Sequence, residues 1–105
     1  MRLHIITFLL LFAFTASLHA QNSLTISGRI VDKEKKAIEF ASISLSNNAT
    51  KKIVGTTASA DGTFLLKAAK GEYTLEVSMI GYDKYTLALD LQEDSPLGYI
   101  LLAES

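Results

Sequence analysis

Acidic side chains are the main candidates for chemistry in this chain, because carboxylates can bind calcium or act as general acids and bases. Glu93 and Asp94 are adjacent, and neighbouring side chains on an extended chain point apart, so they do not form an acid–base pair. The remaining candidates for a calcium site lack the Asp-x-Asp-x-Asp-Gly spacing of a calcium loop; they are Asp32, Asp61, Asp83 and Asp90. The sequence therefore predicts no metal site.

Histidine and cysteine, the usual partners in nucleophilic catalysis and zinc binding, are confined or missing. The two histidines, His4 and His19, lie in the first 20 residues, and the chain has no cysteine. Without those 20 residues, Ser-His-Asp and Cys-His catalysis, imidazole or thiolate zinc sites and disulfide bonds are all excluded. We expect residues 21–105 to be no enzyme and to hold no cofactor or metal.

The first 20 residues have the pattern of a signal peptide. Arg2 provides a positive start, and residues 5–18 form an apolar core that is shorter than a bilayer-spanning helix. Ala20 is a small residue at the cleavage position, so we expect cleavage before Gln21, with a cut after Ser17 as the alternative. A retained membrane anchor is the other interpretation, but no basic stop-transfer cluster follows. The pattern predicts export and a mature domain of residues 21–105.

The mature chain is one small domain with nearly balanced charge. Arg2 is the one charged residue of the leader, which leaves nine basic against 11 acidic residues and a net charge of −2. No basic stripe is present that could follow a phosphate backbone, so nucleic acid is not an expected partner. We also expect no small-molecule substrate. The chain is too short to build both this domain and a transmembrane barrel.

Apolar and polar residues alternate along residues 24–102, which predicts β-strands with one buried face. Tyr73, Leu75 and Val77 share one face, and no segment of the mature chain keeps a helical period. The expected fold is all-β: a single seven-stranded antiparallel Greek-key β-sandwich. The predicted strands are 24–31, 39–45, 53–58, 63–67, 72–80, 84–91 and 98–102.

Glycines and an aspartate separate or distort these strands. Asp61 and Gly62 predict a tight turn, since both residue types tolerate positive φ. Gly28 is expected to allow a bulge or a close approach of strands, and Gly81 a sharp bend. The two aromatic residues of interest are Phe64, expected in the core, and Tyr82, expected to bury its ring while its hydroxyl reaches a partner.

The order of these motifs resembles the carboxypeptidase regulatory-like domain, a transthyretin-like β-sandwich. The resemblance is carried by Gly28-Arg29-Ile30-Val31-Asp32, residues 38–43, Gly55-Thr56-Thr57, Asp61-Gly62-Thr63-Phe64 and residues 75–82. This version is similar to the N-terminal extension of TonB-dependent outer-membrane receptors of the SusC-like and related barrel kinds. Two positions depart from the usual pattern: Ser59 stands where an acid is common, and Phe40 where a small residue is common.

The resemblance implies a non-catalytic periplasmic domain associated with the outer membrane, which takes part in nutrient uptake. Its implied partners are proteins: the plug and barrel of a receptor, or other periplasmic proteins. The chain would then be a fragment of a receptor or a free-standing module. The alternative is a structural or adhesive sandwich of a secreted or cell-surface protein.

The last predicted strand, residues 98–102, has two interpretations. As an edge strand it could recruit a neighbouring periplasmic segment through its unpaired backbone groups. It could equally complete the core of the sandwich. Both interpretations remain open on the sequence.

Overall fold

Two β-sheets pack face to face in the structure, a computed structural model that describes residues 23–105. Seven strands form in chain order: β1 (Leu24–Val31), β2 (Ser42–Asn47), β3 (Ile53–Thr57), β4 (Thr63–Ala68), β5 (Gly71–Ser78), β6 (Tyr85–Leu91) and β7 (Ser95–Leu101). The prediction of an all-β fold with seven strands is confirmed. The predicted signal peptide, residues 1–20, lies outside the described residues and stays a prediction.

The sheets have three and four strands, in the orders β4-β1-β7 and β3-β2-β5-β6. Every pairing is antiparallel except that of β1 with β7, which is parallel. The prediction of a purely antiparallel sandwich is therefore wrong. Alternation tells which face of a strand is buried, but it carries no information on the direction of the neighbouring strand. The first and last strands run side by side in the same direction.

The largest differences from the predicted strand boundaries are the starts of β2 and β7. β2 begins at Ser42 instead of residue 39, because Phe40 has a φ of +62° and interrupts the extended backbone. β7 begins at Ser95 instead of residue 98 and contains Pro96. Proline is tolerated there because β7 is an edge strand, whose outer side needs no backbone donor.

The core lies between the sheets and draws on both. Leu45, Leu75 and Val77 of the four-stranded sheet are fully buried, opposite Ile26 and Ile30 of β1. Burying one such aliphatic side chain contributes roughly 1.5–3 kcal/mol. The apolar residues that alternation predicted to share a buried face are thus the ones that pack in the core.

The last strand contributes to the core through alternate side chains. Ile100 in β7 and Leu102 directly after it are buried, at 3% and 1% exposure, and Leu97 packs against the core. Tyr99 and Leu101 face outward and are exposed. The structure therefore supports the core interpretation for the inward side chains, while β7 still lies at a sheet edge.

The loops collect at two ends of the sandwich. We call the end with residues 32–41, 58–62, 79–84 and 102–105 the motif end, because Asp61, Gly62, Gly81 and Tyr82 lie there. The opposite end carries residues 48–52, 69–70 and 92–94.

Candidate functional site

The Asp61 turn joins β3 to β4 at the motif end. The backbone N–H of Gly62 donates to the carbonyl of Ser59 (2.9 Å), and Gly62 has a φ of +82°. A Cβ on Gly62 would lie 2.5 Å from the carbonyl oxygen of Ile30. That close approach exists because the N–H of Ile30 donates to the Gly62 carbonyl (2.8 Å). Glycine is therefore required both by conformation and by space.

One carboxylate oxygen of Asp61 accepts several hydrogen bonds from groups of its own turn. Its Oδ1 accepts hydrogen bonds from the Ser59 hydroxyl (2.5 Å), the Thr63 hydroxyl (2.6 Å) and the Thr63 backbone N–H (3.1 Å). The Arg29 Nε donates to the Asp61 carbonyl (2.8 Å). The Ser59 bond first, and then those of Thr63, lower the pKa of Asp61 far below its ordinary value. This carboxylate stays ionised at neutral pH and holds its turn, so it is a poor candidate for a general acid.

Gly28 lies in β1, the central strand of its sheet, where residues of β4 and β7 come close to it. A Cβ there would lie 2.9 Å from Cε1 of the buried Phe64 and 3.2 Å from the Gly98 carbonyl oxygen. The β1–β7 register shifts between Ser27 and Arg29, where β7 has one residue more. The backbones approach closely at Gly28, and the extra residue of the bulge belongs to β7.

The Gly81–Tyr82 loop is tied to the C-terminal tail. Gly81 has a φ of +91°, and the N–H of Tyr82 donates to the Met79 carbonyl (3.0 Å). Tyr82 forms a bridge with Glu104, and the N–H of Ser105 donates to the Gly81 carbonyl (3.1 Å). The Tyr82 ring packs against the core, and its hydroxyl has no hydrogen-bond partner among residues 23–105. Here the tail, and not a tyrosine hydroxyl, holds the loop.

An exposed apolar surface at the motif end was not predicted. Phe40 is 63% exposed and Ile80 is 96% exposed. Together with Met79 they line one shallow groove, which is also lined by Ser42 and Ser78 at the paired ends of β2 and β5. We call Phe40, Met79 and Ile80 the Phe40–Ile80 surface. The available signal was Phe40 itself, a large apolar residue that departs from the family pattern that the sequence resembles.

The acidic candidates do not converge on a cation site. Asp32 accepts from the N–H groups of Glu34 (2.8 Å) and Lys36 (3.0 Å), and Asp94 accepts from the N–H of Thr25 (2.9 Å). Within residues 23–105, no group of three or more metal-ligating side chains is arranged to hold an ion. Across the same residues, no helix is long and apolar enough to cross a membrane.

Solved structures with the same fold are diverse. 3-Chlorocatechol 1,2-dioxygenase from Rhodococcus opacus 1CP matches with a TM-score of 0.65 at 10% identity, over 80% of this chain and 60% of that one. The Bacillus anthracis TIE protein matches with a TM-score of 0.66 at 18% identity, over 79% of this chain and 17% of that one. A DUF3823 family protein from Parabacteroides merdae matches with a TM-score of 0.63 at 15% identity, over 79% and 47%. At these identities the likeness shows the fold alone, and this chain spans less than two thirds of each of these proteins.

The sequence comparison is more specific. No curated protein sequence matches the chain. The family model of the carboxypeptidase regulatory-like domain matches residues 25–100, which include every strand core, the Asp61 turn and the Gly81–Tyr82 loop. The chain therefore belongs to the carboxypeptidase regulatory-like domain family.

Proposed function

We propose that this β-sandwich is a non-catalytic accessory domain in the periplasm, which binds protein segments of an outer-membrane TonB-dependent receptor. One observation carries the proposal: the Phe40–Ile80 surface presents two large apolar side chains to solvent, 63% and 96% exposed. A contiguous exposed apolar surface on a small domain is a common mark of a protein-binding site.

The backbone at Phe40 supports a role outside folding. A φ of +62° destabilises a non-glycine residue by roughly 1–2 kcal/mol. Because the Phe40 ring is exposed, its packing within the domain offsets little of that strain. Burial against a partner would return roughly 1.5–3 kcal/mol for each large apolar side chain. The side chains of Phe40 and Ile80 would thus stabilise a complex more than they stabilise the isolated sandwich.

The position of the tail also favours the motif end. The tail residue Ser105 is hydrogen-bonded to Gly81, next to Ile80. In receptors of the kind that the sequence resembles, the chain continues from this domain toward the plug and barrel. A segment following the tail would begin beside the Phe40–Ile80 surface.

Site-specific crosslinking tests the partner. A photoreactive residue is placed at Ile80, and at Leu65 as the control, because Leu65 is also exposed (56%) but lies on the outer face of β4. Crosslinking is carried out in intact cells of the native organism. We expect the probe at Ile80 to capture a TonB-dependent receptor, and the probe at Leu65 not to capture it. Capture of a cell-surface or extracellular polymer component would instead favour the structural or adhesive alternative, and equal capture by both probes would reject the surface.

Export and the lack of catalysis have separate tests. Expressed with its leader in a Gram-negative host, the protein should be recovered from the periplasm with Gln21 as its first residue; an intact Met1 terminus by mass spectrometry would contradict export.

The mature protein should show no peptidase or glycosidase turnover and no stoichiometric metal after dialysis. Turnover that disappears on changing one acidic residue would overturn the non-catalytic proposal.

A further inference from the structure

Strand β3 is the least protected of the four edge strands. Proteins discourage unwanted strand pairing with charges, prolines or bulges at sheet edges. Three of the edges have such a device: β4 contains Lys67, β6 contains Asp90, and β7 contains Pro96 with a bulge. β3, with the sequence Ile-Val-Gly-Thr-Thr, has none of them, and four of its five residues are exposed.

The backbone groups on the outer side of β3 follow from the ladder with β2. The N–H of Asn47 donates to the Lys52 carbonyl (2.8 Å), and the N–H of Ala58 donates to the Ala41 carbonyl (2.9 Å). Hydrogen-bonded pairs alternate along an antiparallel ladder. The even-numbered residues of β3 therefore bond to β2, and the backbone groups of the odd-numbered ones point away from it: Ile53, Gly55 and Thr57.

These outward groups are open. Among residues 23–105, no backbone hydrogen bond from outside the β2–β3 ladder reaches Ile53, Gly55 or Thr57. Strand β4 follows β3 in the chain but belongs to the other sheet. The side chains of Ile53 and Thr57 lie on the outer face of the four-stranded sheet, since their neighbours Val54 and Thr56 pair with the buried Leu45 and Ile43.

We propose that two copies of this chain pair through β3, antiparallel, about a two-fold axis at Gly55. In that register Gly55 faces Gly55 of the other copy, and Ile53 faces Thr57. The odd-numbered pairs join two outward-pointing residues, so each of them exchanges two N–H···O bonds, while Val54 and Thr56 face each other as non-hydrogen-bonded pairs and keep their bonds to β2. The two four-stranded sheets become one continuous sheet across the dimer, and the contact is self-complementary as a two-fold interface requires.

Charge favours the antiparallel direction. Lys51 and Lys52 precede β3, and the ionised Asp61 follows it in the next turn. Antiparallel pairing brings the lysine end of each strand toward the Asp61 turn of the other copy and keeps the two lysine pairs apart. Parallel pairing would set the lysines of the two copies side by side. The opposite charges at the two ends of β3 therefore make this edge complementary to a second copy of itself.

A matched pair of charge variants tests the pairing in the protein without residues 1–20, which keeps the whole core that the structure describes. Ile53→Lys with Thr57→Lys places like charges opposite each other across the dimer, whereas Ile53→Glu with Thr57→Lys places opposite charges there. We expect sedimentation of the parent from micromolar to millimolar concentration to show a doubling of mass. The like-charge variant should associate about tenfold more weakly, and the opposite-charge variant at least as strongly as the parent. Both altered positions are exposed, so thermal unfolding should show both variants folded.

Disulfide trapping tests the register, and the absence of native cysteine keeps the result clean. A protein with Ile53→Cys is mixed with one carrying Thr57→Cys under mild oxidation. We expect the mixed disulfide to form faster than either homodimer, because position 53 faces position 57 only in the antiparallel register. The proposal would be overturned if the 53–53 or 57–57 disulfides formed as fast as the mixed one. It would also be overturned if the two charge variants associated equally, if assembly continued beyond two copies, or if the mass stayed that of a monomer. Preferential trapping of a different protein from the periplasm would also overturn it, in favour of a heterologous strand.

Discussion

The two ends of the sandwich are built by different means. At the opposite end, most loop bonds are local: the Asn47 side chain accepts from the N–H groups of Ala49 (2.9 Å) and Thr50 (3.0 Å), a few residues away. Long-range bonds are fewer there, with Asp94 accepting from the N–H of Thr25 and the N–H of Asn48 donating to the Glu72 carbonyl. At the motif end, segments far apart in the chain bond to each other. The N–H of Ile30 donates to the Gly62 carbonyl (2.8 Å), and the N–H of Asp83 donates to the Ala103 carbonyl (2.8 Å).

The difference also extends to what each end presents to solvent. The opposite-end loops are polar, whereas the motif end exposes Phe40 and Ile80. Long-range bonds fix the positions of the loops that carry these side chains, so a partner would meet a preorganised apolar surface and lose less entropy on binding. Gly81 and Tyr82, through their bonds to the tail, hold the loop that carries Ile80. Four changes, in order of expected effect, test this comparison.

Deleting residues 97–105 removes the tail bonds of the motif end together with Ile100 and Leu102 of the core. Each lost aliphatic core side chain costs about 2–5 kcal/mol, against a total stability of roughly 5–15 kcal/mol. We expect no cooperative thermal unfolding transition by circular dichroism. Asp94→Ala, which removes one side-chain bond at the opposite end, is the control and should unfold cooperatively. A deletion variant with the parent's melting temperature would contradict the core role of β7.

Gly62→Ala should strongly destabilise the domain, because its Cβ would meet the Ile30 carbonyl oxygen at 2.5 Å in a positive-φ conformation. We expect a loss of about 2–3 kcal/mol in the free energy of unfolding by urea denaturation. Gly81→Ala is the matched control, since φ is also positive there but nothing lies within 4 Å of the added Cβ. It should lose only about 1 kcal/mol. Equal losses at both sites would mean that the Ile30–Gly62 contact is not a constraint.

Asp61→Asn tests the charge in the turn. The pKa of Asp61 is lower in the folded than in the unfolded chain, so the carboxylate stabilises the fold at neutral pH and loses that effect as the pH falls below about 4. We expect the parent to be more stable than the variant at pH 7 and the difference to shrink between pH 4 and pH 2. Urea denaturation across this range measures it. A difference that is constant with pH would show that the charge contributes nothing.

Phe40→Gly should leave stability unchanged or raise it by up to about 1 kcal/mol, because glycine adopts a positive φ without strain. Lys51→Gly is the matched control at the opposite end, with a φ of +64°. Thermal unfolding should show the same small change for both variants, while crosslinking from Ile80 should fall only with Phe40→Gly. A clear loss of stability at Phe40 alone would assign its ring to the fold.

The sequence predicted the strands well but not the direction of every pairing. Alternation depends on local burial, so the inward faces of β5 and β1 could be derived from residue order. The parallel pairing of β7 with β1 depends on contacts between residues some 70 positions apart, for which one strand carries no signal. Of the site, the tight turn at Gly62 follows from turn chemistry. The exposure of Phe40 does not, because alternation alone cannot distinguish an apolar residue that faces the core from one that faces solvent.

The parallel pairing of β1 and β7 has a mechanical consequence. β1 starts at the opposite end and β7 finishes at the motif end, so tension applied at Leu24 and Leu101 acts along the strands. The hydrogen bonds between them are then loaded together, in shear. Handles at Arg29 and Thr63, which face each other across the β1–β4 ladder, would instead break bonds one after another. Single-molecule pulling should require a higher force in the first geometry, and a lower force there would contradict the shear description. A domain with this strand arrangement can transmit a pull along the chain without unfolding at its first hydrogen bond.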